Sequence, residues 1–359
     1  MDFDFSTLTI KNDNNKHLFD EFVKYYKFIY SNYFKSEKSS TENHFKLNAI
    51  KKTIQIIANT KKQIISGEQL ESIKGIGEKT INRINEILDT GTLSEIKQKE
   101  KQIEAVLKLS KIHGIGPVKA SKFYEKYNIN TIEDLIKKEK DGTIILTHDI
   151  KLGIKYYPVL CTHIPQLLIA NFDVYLQNII ITLGIDYIAV ICGSYRRNKN
   201  TSSDIDILIS NTKLLNENNT KEYLLPVINL LSKKFIIDNI TENSNKHFQG
   251  YASFKNIYKE MTQIKINSND FNINNDVVRI DIKIVPIQSF FTAIMHYTGS
   301  SEFNQKIRAH AKSLGMMLNE NGLFDPNHNA IKIDSEVDIF KNLMMKYISP
   351  EKRYWYVIF

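Results

Sequence analysis

The sequence predicts a mixed α/β (α+β) chain, helical in its first half and sheet-built in its second, on three observations. Apolar residues recur at helical spacing over Leu18 to Phe34 and again over Lys46 to Ile57. A Gly-Ile-Gly phrase that leads into a helix occurs twice, at Gly75-Ile76-Gly77 and at Gly114-Ile115-Gly116. Short apolar runs bounded by turn residues then read as buried strands: Ile188 to Cys192, Asp204 to Ile209 and Val278 to Val285, the last stopped by Pro286. At 359 residues the chain exceeds one ordinary domain, so two to four compact units are expected.

Taken in order, a polar lead-in around Asn12 to Lys16 precedes the first helix, where Phe19, Phe22, Tyr25 and Phe28 share one face and read as core. From His44 to Arg83 eight Lys or Arg stand against three Glu, a net +5 that predicts one basic face. The two glycine phrases repeat a local motif and not a domain, because the sequence between them shows no matching period. Helical patterning continues over Ile132 to Lys138. A weaker stretch near Asp141 to Asp149 leads to Lys151-Leu152-Gly153, and Pro158 and Pro165 then mark a junction between domains. After the strands, the Asn-rich run Asn267 to Asp276 reads as an exposed loop, Phe303 to Leu314 as a helix, and Tyr354-Trp355-Tyr356 as an aromatic tail.

Lys and Arg total 48 against 40 Asp and Glu, a net +8 that favours a polyanionic partner, nucleic acid ahead of an anionic membrane surface. Cys161 and Cys192 form no Cys-x-x-Cys or Cys/His set, so neither a disulfide framework nor a zinc module is expected, and both read as buried thiols in a reducing compartment. The first residues, Met-Asp-Phe-Asp-Phe, are acidic where a signal peptide is basic, and the apolar run Ile179 to Cys192 is broken by Asp186. A soluble, intracellular protein that engages no membrane is expected. The wealth of Asn, Lys and Ile suits an AT-rich genome such as that of a large DNA virus.

Glycines that open a helix allow close backbone approach, and the free N–H groups of the helix start face an anion. One such phrase is weak evidence; two with the same flanks point to a phosphate backbone held without base reading. Asp204 and Asp206 alternate along a strand, so both carboxylates are expected on one face, where they repel unless a cation lies between them. Gly193-Ser194, just before them, offers a hydroxyl and turn amides to a triphosphate. Asp281 is the candidate third carboxylate, completing a set suited to two-metal phosphoryl transfer.

Gly193-Ser194-Tyr195-Arg196-Arg197 followed by Ser202-Ser203-Asp204-Ile205-Asp206 closely resembles the nucleotidyltransferase signature of the family X DNA polymerases, the DNA polymerase beta type. The two glycine phrases resemble helix-hairpin-helix motifs, Arg279-Ile280-Asp281 resembles the third-aspartate strand, and Tyr297-Thr298-Gly299-Ser300 with Phe303-Asn304 and Arg308-Ala309-His310 resembles the nucleotide-facing thumb segment. Over about residues 18 to 353, the resemblance implies a tail (1–17), a lyase-like helical domain (18–101), a second helical DNA-binding domain (102–165), a palm (166–287) and a thumb (288–359). It implies gap filling in base excision repair on gapped or nicked duplex DNA with dNTPs, by a monomer in the nucleus or cytoplasm of a host cell, or packaged in a virion. Asp204 and Asp206 would bind two Mg2+, with Mn2+ as the alternative, and Asp281 the catalytic one. Ser194, Arg197, Ser202, Ser203, Lys151, Tyr297, Gly299 and Asn304 would hold the nucleotide. Gly75, Gly77, Lys79, Gly114, Gly116, Arg279 and Arg308 would contact DNA. Backbone carbonyls of Glu71, Ile73 and Ile76, and of Ser110, Ile112 and Ile115, would hold a monovalent cation, K+ or Na+.

Three departures from the family pattern stand out. Ser203 replaces the usual glycine before the first aspartate, and His296-Tyr297 replaces the usual Tyr-Phe pair under the sugar, which loosens discrimination against ribonucleotides. In the lyase-like domain the position of the usual nucleophilic lysine is Arg83. A guanidinium is not a free amine in proteins, so sugar-phosphate lyase chemistry is either weakened or moved to Lys79, one helical turn earlier on the same face, with Lys46 the weaker candidate.

Overall fold

The computed structural model describes residues 5, 8–32, 40–97, 100–160, 163–240, 244–255, 257–261 and 277–353. Cys161, the run Asn267 to Asp276 and the tail Tyr354 to Tyr356 lie outside them. The chain divides into two compact units, Met1–Ile154 and Lys155–Phe359.

The first unit is helical: α1 (Lys16–Asn32), α2 (Ser40–Asn59), α3 (Glu78–Thr90), α4 (Ser94–Lys97), α5 (Glu100–Leu109), α6 (Pro117–Tyr127), α7 (Ile132–Lys140) and the start of α8 (His148–Leu160). Its core forms from the stripe seen in the sequence, with Phe19, Phe22 and Tyr25 of α1 packed against Ile54 and Ile57 of α2 and Ile84 and Ile87 of α3. The lead-in is tied down, since Asn15 is buried and accepts from the Ile64 amide at 2.8 Å. Pro158, read as marking a junction between domains, lies inside α8, four residues after the division at Ile154. The missing N–H of Pro158 costs one ladder bond near the C-terminal end of α8, and the helix continues to Leu160.

The second unit opens with β1 (Ile164–Pro165) and α9 (Gln166–Ile180), then β2 (Tyr187–Ile191), α10 (Gly193–Arg196), β3 (Thr201–Ser202), β4 (Ile205–Asn211), α11 (Thr220–Lys234), β5 (Ile236–Asn239), β6 (His247–Ser253), α12 (Tyr258–Met261) and β7 (Val277–Ile284). Five of these strands form one sheet in the order β2-β4-β7-β6-β5, with β4 and β7 parallel and the other pairs antiparallel. Alternation sorts the sheet's two faces. Ile205, Ile207 and Ile209 pack with α9 and α11 in the larger core, while Leu208 packs with Cys192, Phe290 and Ala293 on the other. The run Gln166–Leu183 is apolar and long enough by composition to cross a membrane, but Leu168, Phe172 and Leu176 within it belong to this core.

The chain then continues through α13 (Phe290–Thr298), α14 (Ser301–Ser313), β8 (Met317–Asn319), β9 (Gly322–Phe324), β10 (Ala330–Ile331) and α15 (Glu336–Asn342). The last three strands make a small antiparallel sheet that shares a core with Phe303, Ile307 and Phe340. The whole is α/β, helices first and mixed sheet after, as the residue pattern predicts.

Candidate active site

The sheet register brings two carboxylates together. Asp206 of β4 and Asp281 of β7 are paired neighbours on parallel strands, on the face whose next positions are Leu208 and Lys283. Burial, and then the charge of Asp281, push the Asp206 carboxyl up to about 6. Asp281 is 9% exposed and its Oδ1 is buried with no hydrogen-bond partner. A side chain at Gly193, whose φ is +59°, would collide with the Asp206 carboxylate, so the turn after β2 needs glycine to let backbone and carboxylate approach.

Asp204 falls one residue short of the strand expected to begin with it. It lies in a bend before β4, and its carboxylate pairs with the Arg279 guanidinium, which also lies 3.7 Å from Asp281 Oδ2. Arg279 stands two residues before Asp281 on β7, so Asp204 meets the face that carries Asp206 and Asp281 although it precedes β4. Among the described residues no three His, Cys, Asp or Glu side chains gather as a metal cluster.

Around this pair, Ser194 Oγ donates to Ser202 Oγ at 2.7 Å, with Ser202 buried and Ser203 exposed. Arg197 Nη1 donates to the Thr298 carbonyl at 2.5 Å, next to Gly299, which has φ +69° and is joined to Ser300 by a cis peptide bond. Asn304 Nδ2 donates to the His296 carbonyl at 2.7 Å, and Arg308 Nη2 to Glu320 Oε2 at 2.9 Å. Burial raises the Tyr297 hydroxyl to about 12. Lys151 belongs to the first unit, where its ammonium pairs with Glu139 at 2.7 Å.

Two groups escaped the sequence reading. The Lys283 ammonium lies 4.4 Å from the centre of the Tyr297 ring and lines the recess of Asp206 and Asp281. Its position two residues after Asp281 was the available signal, since i and i+2 share a strand face. Glu336 receives both Arg196, at 2.5 Å, and the fully buried Arg353, at 2.7 Å, joining the five-stranded sheet domain to the C-terminal one. No local pattern marks a pairing across 140 residues.

In the first unit the two glycine phrases adopt the same turn. Gly75 and Gly114 have φ of +107° and +81°, and side chains there would strike Lys52 and Asp149. The second glycines behave oppositely. Gly77 and Gly116 are the extended N-caps of α3 and α6, and a side chain on either would meet nothing within 4 Å. Each helix start therefore faces open space at its second glycine. Ile73 and Ile112 each accept an amide bond at 3.0 Å, from Ile76 and Ile115, which closes the turn and leaves a second lone pair on each oxygen. In the first turn Glu71 donates its amide to Glu68, and in the second Ser110 donates to Val106.

Arg83 of α3 stacks on Tyr25 with 4.7 Å to the ring centre, pairs with Glu95 at 3.1 Å and donates to the Lys79 carbonyl at 3.3 Å. Lys79 and Lys46 are exposed.

Comparison with known proteins finds four families in order along the chain: a helix-hairpin-helix domain over residues 31–93, the fingers domain of DNA polymerase lambda over 107–160, the DNA polymerase beta palm over 163–287 and the DNA polymerase beta thumb over 293–354. DNA polymerase lambda of Rattus norvegicus is 26% identical over 316 residues, covering 85% of this chain and 52% of that protein. DNA polymerase lambda of Arabidopsis thaliana is 27% identical over 318 residues, covering 84% and 56%. DNA nucleotidylexotransferase of Xenopus laevis is 26% identical over 225 residues, covering 58% and 44%. The chain spans about half the length of the curated relatives it matches.

Proposed function

Because the chain belongs to the family X DNA polymerases, we propose that it adds deoxynucleoside triphosphates to a primer 3′-hydroxyl opposite a template, on gapped or nicked duplex DNA, and releases pyrophosphate. The observation that carries this reading is the in-register pair Asp206 and Asp281, one raised to about 6 and the other with an orphaned buried oxygen. Such a pair is suited to divalent cations, Mg2+ or Mn2+, and Asp204 joins it once Arg279 turns away. Bound there, the metals would supply charge stabilisation to the transferring phosphoryl group.

The chain's own residues do the rest. Ser194, Ser202 and the turn amides after Gly193 receive triphosphate oxygens, and Arg197 places a guanidinium beside them. Ser203, Tyr297 and Gly299 line the nucleotide, Asn304 offers an amide donor to the base edge, and Arg308 reaches toward the template strand. Lys151 adds a positive charge for the triphosphate. Asp281 receives the proton of the primer hydroxyl while Arg279 supports the primer end. In-line positioning carries much of the rate.

Gly77 and Gly116 admit phosphates to the two helix starts, with Gly75 and Gly114 shaping the turns and Lys79 adding charge. Carbonyls of Glu71, Ile73, Ile76, Ser110, Ile112 and Ile115 are suited to a monovalent cation that bridges to phosphate. Short-gap filling in base excision repair, by a monomer in the nucleus or cytoplasm, is the setting this grip suits. Lyase chemistry, where it occurs, falls to Lys79, because Arg83 is committed to Tyr25 and Glu95 and Lys46 serves as a phosphate contact.

Primer extension on one-nucleotide-gap, nicked, open-template and single-stranded substrates, with dNTPs and rNTPs in parallel, tests the proposal. Preference for the gapped substrate with template-directed insertion is expected. Extension on the single-stranded substrate alone would instead favour a nucleotidylexotransferase, the name carried by the Xenopus laevis relative.

A further inference from the structure

One side of α9 faces solvent and is nevertheless apolar. Leu167 and Val174 of α9, Ile181 in the single turn of 3-10 helix that continues it, and Ile185 just beyond are 53%, 52%, 59% and 86% exposed. The first three fall seven residues apart, nearly two full turns each time, so they form one stripe with members about 10 Å apart. The opposite side of the helix sends Leu168, Phe172 and Leu176 into the core with Ile205, Ile207 and Ile209 of β4. The exposed stripe is therefore not needed to hold α9 on the sheet.

Charge is missing from it as well. From Gln166 to Ile185 the sequence holds one charged residue, Asp173, and no Lys or Arg. The Asp173 carboxylate already accepts from Gln177 Nε2 at 3.0 Å and from the Tyr195 hydroxyl at 3.4 Å. In α7, by comparison, six of nine residues are charged. Depletion of charge marks the centre of a protein interface more than it marks a surface left to water. Copies of a chain with net +8 repel one another, so a face without cations is where two of them approach most easily.

The stripe is also its own complement. Leu167 and Ile181 lie seven residues either side of Val174, so a two-fold axis at Val174 sets Leu167 of one copy against Ile181 of the other, and the two Val174 side chains against each other. Antiparallel packing of this kind brings unlike helix ends together. We propose that this face of α9 is a self-association surface, through which two copies of the chain pair antiparallel about Val174. The four side chains expose about 450 Å2, enough for an interaction patch but below the roughly 800 Å2 per partner of a stable complex. The pairing is accordingly weak, with a Kd on the order of 10 μM, and below that concentration the chain is the monomer of the gap-filling reading. Alternation along β4 puts Asp206 and Leu208 on the side of the sheet away from α9, so pairing leaves each carboxylate pair open and each copy works on its own gap.

Sedimentation velocity of the full chain without DNA, from about 1 to 100 μM in about 0.5 M salt, tests this; such salt removes association bridged by nucleic acid. Wild type is expected to shift from monomer to dimer across the range. Val174→Lys, which sets two ammonium groups against each other at the axis, should stay monomeric at the top of the range, with the melting temperature and the dilute primer extension of wild type. Mild oxidation of cysteine variants, with wild type as the blank, reads the arrangement. Val174→Cys should form a disulfide-linked dimer, because helices packed about 8–10 Å apart bring residues at the axis within disulfide reach. Leu167→Cys alone should not, since its two copies stand about 20 Å apart along the pair, but mixed with Ile181→Cys it should. A wild type that stays monomeric throughout overturns the inference and leaves the face to another protein or to a lipid surface. A Val174→Lys chain that associates like wild type, or a disulfide through Leu167→Cys alone, overturns it equally.

Discussion

At the scale of single residues, Asp206 illustrates how a site works against its own fold. Its folded pKa of about 6 lies above the ordinary carboxylate value, so at pH 7 the folded protein holds a charge that burial and Asp281 both disfavour. That destabilisation is fully present above pH 6 and fades as pH falls through 6 toward 4, the range in which the carboxyl takes up its proton. Asp206→Asn is therefore expected to stabilise the chelator-treated protein by about 1–3 kcal/mol at pH 7.5, less at pH 5, while abolishing nucleotide transfer; thermal melts at the two pH values and primer extension check both halves. A loss of stability at pH 7.5 would contradict the like-charge account. Arg83 makes the opposite case, a cation stacked on Tyr25 and paired with Glu95. Borohydride trapping on a 5′-deoxyribose-phosphate substrate should be lost in Lys79→Ala, and strong trapping that survives this change would show another lysine at work.

At the scale of elements, each hairpin divides labour between its glycines. Gly77→Ala and Gly116→Ala fit both the backbone angles and the space, so melting temperatures should stay within a degree or two of wild type. Each should nevertheless weaken gapped-DNA binding about tenfold, because a methyl group intrudes where an amide meets a phosphate; titration by fluorescence anisotropy measures it. Normal affinity in the double variant would place the phosphate contact elsewhere. The repeated phrase was readable in the sequence because Gly-Ile-Gly is local. Which glycine faces inward was not, since Lys52 and Asp149 arrive from α2 and α8, separated from the turns by 23 and 35 residues. The strands show the same division. Alternating apolar residues marked β4 and β7, but the parallel register that aligns Asp206 with Asp281, and the bend that turns Asp204 to Arg279, depend on partners no local pattern names.

At the scale of the whole molecule, charge and glycine phrases indicated the class of partner, and the order of helices before strands indicated the class of fold. The connection inside the second unit was hidden. Glu336, 7% exposed, neutralises Arg196 on one side and Arg353, 0% exposed, on the other, so Glu336→Ala leaves a buried cation uncompensated. A loss of about 3–5 kcal/mol is expected, measured by urea denaturation of the full chain, with Glu336→Gln less severe. A neutral result would mean that water reaches Arg353 when the carboxylate is gone. The open space in front of Gly77 and Gly116 has a consequence of a different kind. A main-chain amide that meets a phosphate is indifferent to which letters that phosphate joins. A handhold of that kind would answer to the spacing of phosphates along a strand and would serve duplexes of any base composition alike.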